Sequence, residues 1–483
     1  MANAIDGLKP AGVWKWFAEL SKIPRCSKNE AAAAAFVANT AKKFGLECHQ
    51  DKVGNVVVRK AASAGRENVP MVCLQGHLDM VGEKRPDKKH DFAKDPITLV
   101  RHGNEMMADG TTLGADNGIE VATALAIMED KSLVHGPLEF LFTIDEEMGL
   151  NGAKSLAPTF LNSRTLMNLD SEEEGALYVG CSGGLDSTGT WALQTDAAPK
   201  GTVAVELTVG GLRGGHSGLE IDKGRGNALK LINRTLMALG PVGARLSRIQ
   251  GGNKRNAIPR DAVALIFVPK AKLVDVMACV ALMNETCKAE LSTVEPNLEI
   301  SAKQVKAKGK VVKRALQKKL MQTIAGLPHG VIKMSAEVAG LVETSTNVAV
   351  ITTNKKDITL ETSQRSSVAS EITEVADSVR AVFELGGATV TGSSGYPGWK
   401  PNLNSAILKT AQATYQQMYG KDPEVKAIHA GLECGIIGDK YPGMDMVSFG
   451  PTLEGVHSPD EKIYIDTVEK YWDFLMGILR NVK

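Results

Sequence analysis

Long apolar runs are missing: nowhere in the 483 residues do about 18 apolar side chains follow one another, the length a helix needs to cross a bilayer. No membrane span is therefore expected. Charge of one sign is missing as well. Lys+Arg number 56 and Asp+Glu 55, a formal net charge of +1, so no field draws the chain to nucleic acid or an anionic membrane. Aromatics make up 5%, too few for a base-stacking surface. The opening Met1-Ala2-Asn3-Ala4-Ile5-Asp6-Gly7-Leu8-Lys9-Pro10 has neither the basic flank nor the apolar stretch of a secretory signal. Cys26, Cys48, Cys73, Cys181, Cys279, Cys287 and Cys434 are an odd, scattered set with no Cys-x-x-Cys pair. That argues against a disulfide framework and for reduced thiols in the cytoplasm.

What remains is an ordinary globular composition, 43% hydrophobic and 23% charged. The chain is too long for one typical core, so two or more domains are expected. Its most informative stretch is 138–149. Residues 138–144 are an apolar and β-branched run that reads as a buried strand, and it stops in Asp145, Glu146 and Glu147 before a Met148-Gly149 turn. Three acids crowded at the end of a core strand repel one another and resist desolvation. A nearby cation would compensate them; an acidic loop open to water is the alternative.

Two other strand-like stretches end in similar chemistry. Met71-Val72-Cys73-Leu74 leads into Gly76-His77-Leu78-Asp79-Met80. His77 and Asp79 share one face of an extended chain, and a carboxylate beside an imidazole commonly orients a metal-binding histidine. A strand-end histidine satisfied by its neighbour is the other reading. Residues 165–169 run into Asp170. Between them a loop with Gly110, Gly114 and Gly118 precedes a helix expected over 121–128, and its Asp116 either caps that helix or offers both oxygens to two cations. Strands separated by helices in a mainly parallel sheet bring their ends to one edge, where open α/β folds place their sites.

From about residue 185 the texture changes. An alternating strand at 203–209 is followed by a glycine-rich turn around His216, by helices expected at 228–239, 271–291, 311–325 and 371–385, and by alternating stretches at 346–351 and 358–362. This reads as an α+β insert. After 392–399 the α/β texture resumes, with helices expected at 404–419 and 466–480. The expected fold is α/β: a catalytic domain with a mixed, mainly parallel sheet in two parts, 1–185 and 398–483, interrupted by an α+β domain at 186–397.

Six short motifs follow one another along the chain: Gly76-His77-Leu78-Asp79-Met80, Gly114-Ala115-Asp116-Asn117-Gly118, Asp145-Glu146-Glu147-Met148-Gly149, Asn168-Leu169-Asp170-Ser171-Glu172-Glu173, Gly214-Gly215-His216-Ser217-Gly218 and Gly455-Val456-His457-Ser458-Pro459. In this order they closely resemble the carnosinase-like co-catalytic zinc dipeptidases, the family that includes aminoacyl-histidine dipeptidase (peptidase D). The likeness runs from the first helix to the last, insert included. It implies a zinc-peptidase-like fold whose insert is a lid and dimerisation domain, and a cytoplasmic homodimer.

The resemblance also implies roles. Asp116 would bridge two divalent ions, zinc first, with cobalt or manganese as alternatives. His77 and Glu147 would complete one ion's shell, Asp170 and His457 the other's. Glu146 would be the general base, Asp79 the partner orienting His77, and His216 a stabiliser of the oxyanion. Asn256 and Arg365 are candidate substrate contacts, Arg365 for the terminal carboxylate, and His429 and Glu433 would line the pocket near the second ion. Asn117 departs from the acid that many relatives carry there, which favours the aminoacyl-histidine dipeptidase branch. The implied substrates are unblocked dipeptides, including Xaa-His dipeptides such as carnosine. An N-acyl amino acid deacylase or a tripeptidase on the same scaffold is the nearest alternative, and a metal-free peptide-binding protein a remote one.

Overall fold

Val72–His77 and Leu138–Thr143 are buried at every position, as strands covered on both faces are. They pair in parallel, Gly76 beside Phe142 and His77 beside Thr143. Thr165–Asn168 joins the other edge of Val72–His77 in parallel, with Gln75 opposite Asn168, and Asp445–Ser448 continues the parallel set. This register is what brings three strand ends level. The computed structural model describes residues 4–483; the first three, where the expected catalytic domain begins, lie outside them.

The sheet has eight strands and is mixed. Glu47–Gln50 and Val56–Lys60 run antiparallel on one side, and Ala176–Cys181 pairs antiparallel with Asp445–Ser448 on the other. Its core includes Leu74, Phe140, Phe142, Val121, Leu125, Leu408, Phe474 and Leu475, and each fully buried side chain of this size contributes about 2 kcal/mol. A four-stranded sheet joins Leu99–His102 and Glu105–Ala108 to Lys462–Tyr464 and Leu453–Glu454. The basic stretch before the Asp116 loop thus supplies two neighbouring strands of this sheet.

The helix expected over 121–128 spans Ala115–Glu129, with non-helical backbone at Asp116 and Asn117 and a cis Asp116–Asn117 peptide. The loop and the helix start overlap because the first N–H groups are satisfied by a distant carboxylate, Glu461, rather than by a local capping residue.

The chain forms two units. The first is the chain up to Gly180 with Trp399–Ala427 and Leu432–Lys483; the second is Cys181–Gly398 with Ile428–Gly431. The second is α+β, built on a nine-stranded sheet whose long strands include Gly183–Ala192, Thr202–Gly210, Ala262–Pro269, Val342–Thr353 and Asp357–Ser366. Helices Ala228–Ala238, Leu273–Leu291, Arg314–Gly326 and Ala369–Leu385 belong to it, and Trp191 packs edge-on against Phe383 in its core.

Residues 181–185, Gly398 and Ile428–Gly431, expected with the catalytic domain, belong to the second unit. The N–H of Ser182 donates to the carbonyls of Ile428 and Ala430, at 3.1 and 3.0 Å. Among the described residues no helix is long and apolar enough to cross a membrane.

Candidate metal centre

His77 is the last residue of its strand. Its Nδ1 lies 3.2 Å from the Asp79 carbonyl and 3.4 Å from Asp79 Oδ1, which turns Nε2 toward the acids of the neighbouring segments. That nitrogen is 3.1 Å from Asp116 Oδ1 and 3.4 Å from Asp170 Oδ1. The second oxygen of Asp116 meets another imidazole, His457 Nε2, at 3.1 Å, and the same nitrogen is 2.9 Å from Glu147 Oε1.

Ligand atoms of His77, Asp116 and Asp170 lie within 4.8 Å of one another, as do those of Asp116, Glu147 and His457 and those of His77, Glu146 and Glu147. Glu147 thus lies with His77, as expected, and also with His457, while strand register places Asp170 with His77. Asn168 sits opposite Gln75, so Asp170, two residues on, comes level with His77. His457 reaches the far oxygen of Asp116 from its own loop.

Asn117 braces the cluster from both ends of its amide. Its Oδ1 accepts the His77 N–H at 3.1 Å and its amide donates to Asp170 Oδ1 at 2.6 Å. A Cβ on Gly76 would lie 2.2 Å from that Oδ1, so the glycine before His77 is a steric requirement. Asp79 is fully buried. Burial pushes its carboxyl upward, but the His77 hydrogen bond and charge, helped by the Glu146 N–H and the Ser27 hydroxyl, bring it down to about 2.

Asp145, at φ 51°, turns the chain at the strand end. Its N–H donates to Glu30 Oε1 at 3.0 Å and its carboxylate accepts from Asn151 at 2.7 Å, a structural part that its sequence position does not reveal.

Burial pushes Glu146 well above the usual carboxylate range, against the pull of His77. Burial also raises Glu147, opposed by its His457 hydrogen bond, and Asp170, opposed by His77. At Asp116 burial is outweighed by hydrogen bonds from His457 and His77, and its carboxyl falls. His457, half-exposed, is lifted to about 11 by its hydrogen bonds to Asp116 and Glu147. Two imidazole nitrogens and three carboxylates form a nitrogen-and-oxygen set of the kind that holds catalytic zinc. Acids that burial destabilises gain from cations in their midst. The residues fit a pair of divalent ions.

Glu433 sits among the strands that carry His77 and Glu146. It is fully buried, accepting from Gln75 Nε2 and Thr143 Oγ1, both at 2.6 Å. Burial raises it to about 7, against the Thr143 bond. Sequence reasoning also missed Arg25, Glu120, Glu172 and Glu461. Burial, with the charges of Asp116 and Asp170, lifts Glu172 to about 8.

The remaining candidates belong to the second unit. His216 pairs with Ala257 in a short antiparallel bridge, and the Ser217 N–H donates to the Asn256 carbonyl at 2.8 Å. His216 Nδ1 accepts the N–H groups of Gly218 and Leu219, at 3.2 and 3.1 Å, so in the neutral ring Nε2 carries the proton. Burial, then the Arg365 charge, lowers His216 to about 4. Arg365 is buried, donating to Tyr396 Oη at 2.9 Å and Ser217 Oγ at 3.4 Å. His429 Nε2 lies 2.7 Å from Ser345 Oγ, and a Cβ on Gly218 would lie 2.0 Å from the His429 carbonyl. A cavity of about 430 Å³ is lined by His216 and Asn256 together with Arg213, Lys254 and Arg260.

The sequence pattern of Peptidase family M20/M25/M40 matches residues 73–481. The chain belongs to this family. It is 42% identical over 481 residues to the cytosol non-specific dipeptidase of Escherichia coli (strain K12), covering 99% of each chain. The crystal structure of aminoacylhistidine dipeptidase from Vibrio alginolyticus superposes with a TM-score of 0.90 at 42% identity, over 99% of this chain and 98% of that one. A tripeptidase from Staphylococcus aureus shares the fold at 18% identity and a TM-score of 0.58, over 98% and 99% of the two chains. As an M20/M25/M40 family member the protein is a hydrolase of peptide bonds.

Proposed function

We propose that the protein is a metal-dependent dipeptidase that cleaves unblocked dipeptides, Xaa-His dipeptides such as carnosine included. The observation that carries the metal reading is Asp116, whose two oxygens face His77 and His457 separately. The substrate class is supported by the names of the two relatives at 42% identity.

His77, Asp116 and Asp170 would hold one divalent ion and Asp116, Glu147 and His457 the other, with zinc the first choice and cobalt or manganese as substitutes. When bound, such ions polarise the scissile carbonyl and acidify water. Glu146 takes the proton of the attacking water on its carboxylate and returns it to the leaving amine. Its raised proton affinity, from burial, suits that exchange. Asp79 holds the Glu146 and Glu147 backbone, and His216 offers its Nε2–H to the oxyanion. Arg365 and Asn256 are assigned to the substrate, Arg365 to its carboxylate. A cytoplasmic homodimer formed through the second unit belongs to the same reading; the dimer is supported by resemblance alone.

The test is metal analysis of the purified protein together with assays on a dipeptide, its N-acetylated form and a tripeptide. Two ions per chain and cleavage of the free dipeptide are expected. Cleavage of the N-acetylated substrate alone would assign a deacylase, and of the tripeptide alone a tripeptidase.

A further inference from the structure

Glu461 joins the loops that carry Asp116 and His457. Its Oε2 accepts the backbone N–H groups of Leu113 and Gly114, at 2.7 and 3.0 Å, and its Oε1 those of Ala115 and Asp116, at 2.8 and 3.3 Å. These are groups that a helix start leaves without intrahelical partners, and the Ala115–Glu129 helix has no side-chain cap of its own at Gly114. Glu461 is 2% exposed, so water does not compete for its oxygens.

It stands four residues after His457, in a turn closed by Glu461 N–H to the Ser458 carbonyl at 3.1 Å and by Ser458 Oγ to the Gly455 carbonyl at 2.6 Å. The antiparallel strands Leu453–Glu454 and Lys462–Tyr464 flank that turn. Arg25, equally buried, donates to the carbonyls of Leu78 and Asp79, at 2.9 and 3.0 Å, and to that of Gly114. One guanidinium thus holds both the His77 strand end and the Asp116 loop. A Cβ on Gly114 would lie 2.7 Å, and one on Gly118 2.4 Å, from Arg25 Nη2, which accounts for both glycines of that motif.

We propose that Glu461 is a positioning residue of the metal centre: by tying the 113–116 backbone to the 455–461 turn, it sets the orientation in which Asp116 presents one oxygen to His77 and the other to His457. The proposal rests on the reading of those three residues as metal ligands. An amide cannot substitute, because it places an NH₂ group against two of the four backbone donors.

The test measures metal binding by the full-length protein after chelation, as Zn²⁺ affinity against a chromophoric chelator and as the visible spectrum with Co²⁺. The parent and the surface variant Asp460→Asn should each bind two equivalents alike. Glu461→Gln should bind at least about 10-fold more weakly, with an altered Co²⁺ spectrum, and Glu461→Asp, which keeps the charge, should recover part of the loss. Parental affinity and spectrum in Glu461→Gln would overturn the proposal. If that variant does not fold, Glu461→Asp decides by the same two readouts: parental values overturn the proposal, and weaker binding with an altered spectrum supports it. A parent that takes up no metal sinks the metal reading itself, and this proposal with it.

Discussion

Asp79 Oδ1 accepts the backbone N–H of Glu146 at 3.0 Å, so the acid beside His77 also fixes where the chain turns to present Glu146. Its other oxygen accepts the Glu147 N–H at 3.2 Å and the Ser27 hydroxyl at 2.8 Å. Asp79→Asn replaces one of these acceptors with a donor at a fully buried site, leaving a buried N–H unpaired at a cost of about 1–3 kcal/mol. The expected result is a lower melting temperature and a kcat reduced by about 10–100-fold. Steady-state kinetics and thermal denaturation check it; an unchanged kcat would remove Asp79 from the site's machinery.

Glu146 and Glu147 are adjacent, yet only Glu147 pairs with an imidazole in the structure. Glu146→Gln keeps the shape and removes the proton acceptor. It should lower kcat by about 10²–10⁴-fold while KM and bound metal stay at parental values. Metal analysis alongside kinetics separates the roles. A loss of one ion per chain would make Glu146 a ligand, an assignment that its place in a group with His77 and Glu147 keeps in view.

How far the sequence carries is visible in these residues. Apolar runs that end in acids are conspicuous, so His77, Asp79, Glu146, Glu147 and Asp170 were legible as one strand-end cluster, and the alternating strands after residue 185 announced the α+β unit. Which acids gather around which imidazole was not legible. It depends on the Gln75–Asn168 register and on which oxygen of Asp116 faces which ring, and neither leaves a periodic trace. Arg25 and Glu461 were invisible because they act on backbone carbonyl and N–H groups, which every residue possesses. Ile428–Gly431 joins the second unit through main-chain bonds to Ser182, again without a side-chain signal.

Chelation should act on stability as well as on activity. Asp116, Glu147, Asp170 and Glu146 are crowded at one sheet edge, and burial raises three of the four. A ligand that binds only the folded chain stabilises it by about 4 kcal/mol at a free concentration roughly 1,000 times its Kd. The chelated protein should therefore be inactive and melt several degrees lower, and added Zn²⁺ should restore both properties. Differential scanning calorimetry before and after metal return measures the shift. Identical melting temperatures would argue that no ion sits among these acids.

The second unit should carry an acid sensitivity of its own. His429 is lowered to about 3, by burial and then by the charges of Arg365 and His216, with Asp222 opposing, and His216 is lowered to about 4. Both start from 6.5 in the unfolded chain. Between their folded and unfolded values the unfolded chain binds more protons, so stability falls as pH drops below about 6.5, and above that pH neither group contributes a slope. His429→Gln removes one of these protons, and its amide can still bond to the Ser345 hydroxyl. Melting temperatures taken from about pH 7 to about pH 4.5 should then fall less steeply in the variant than in the parent. Equal slopes would show that the buried His429 ring takes up its proton in the folded state as readily as in the unfolded one, against its placement beside Arg365.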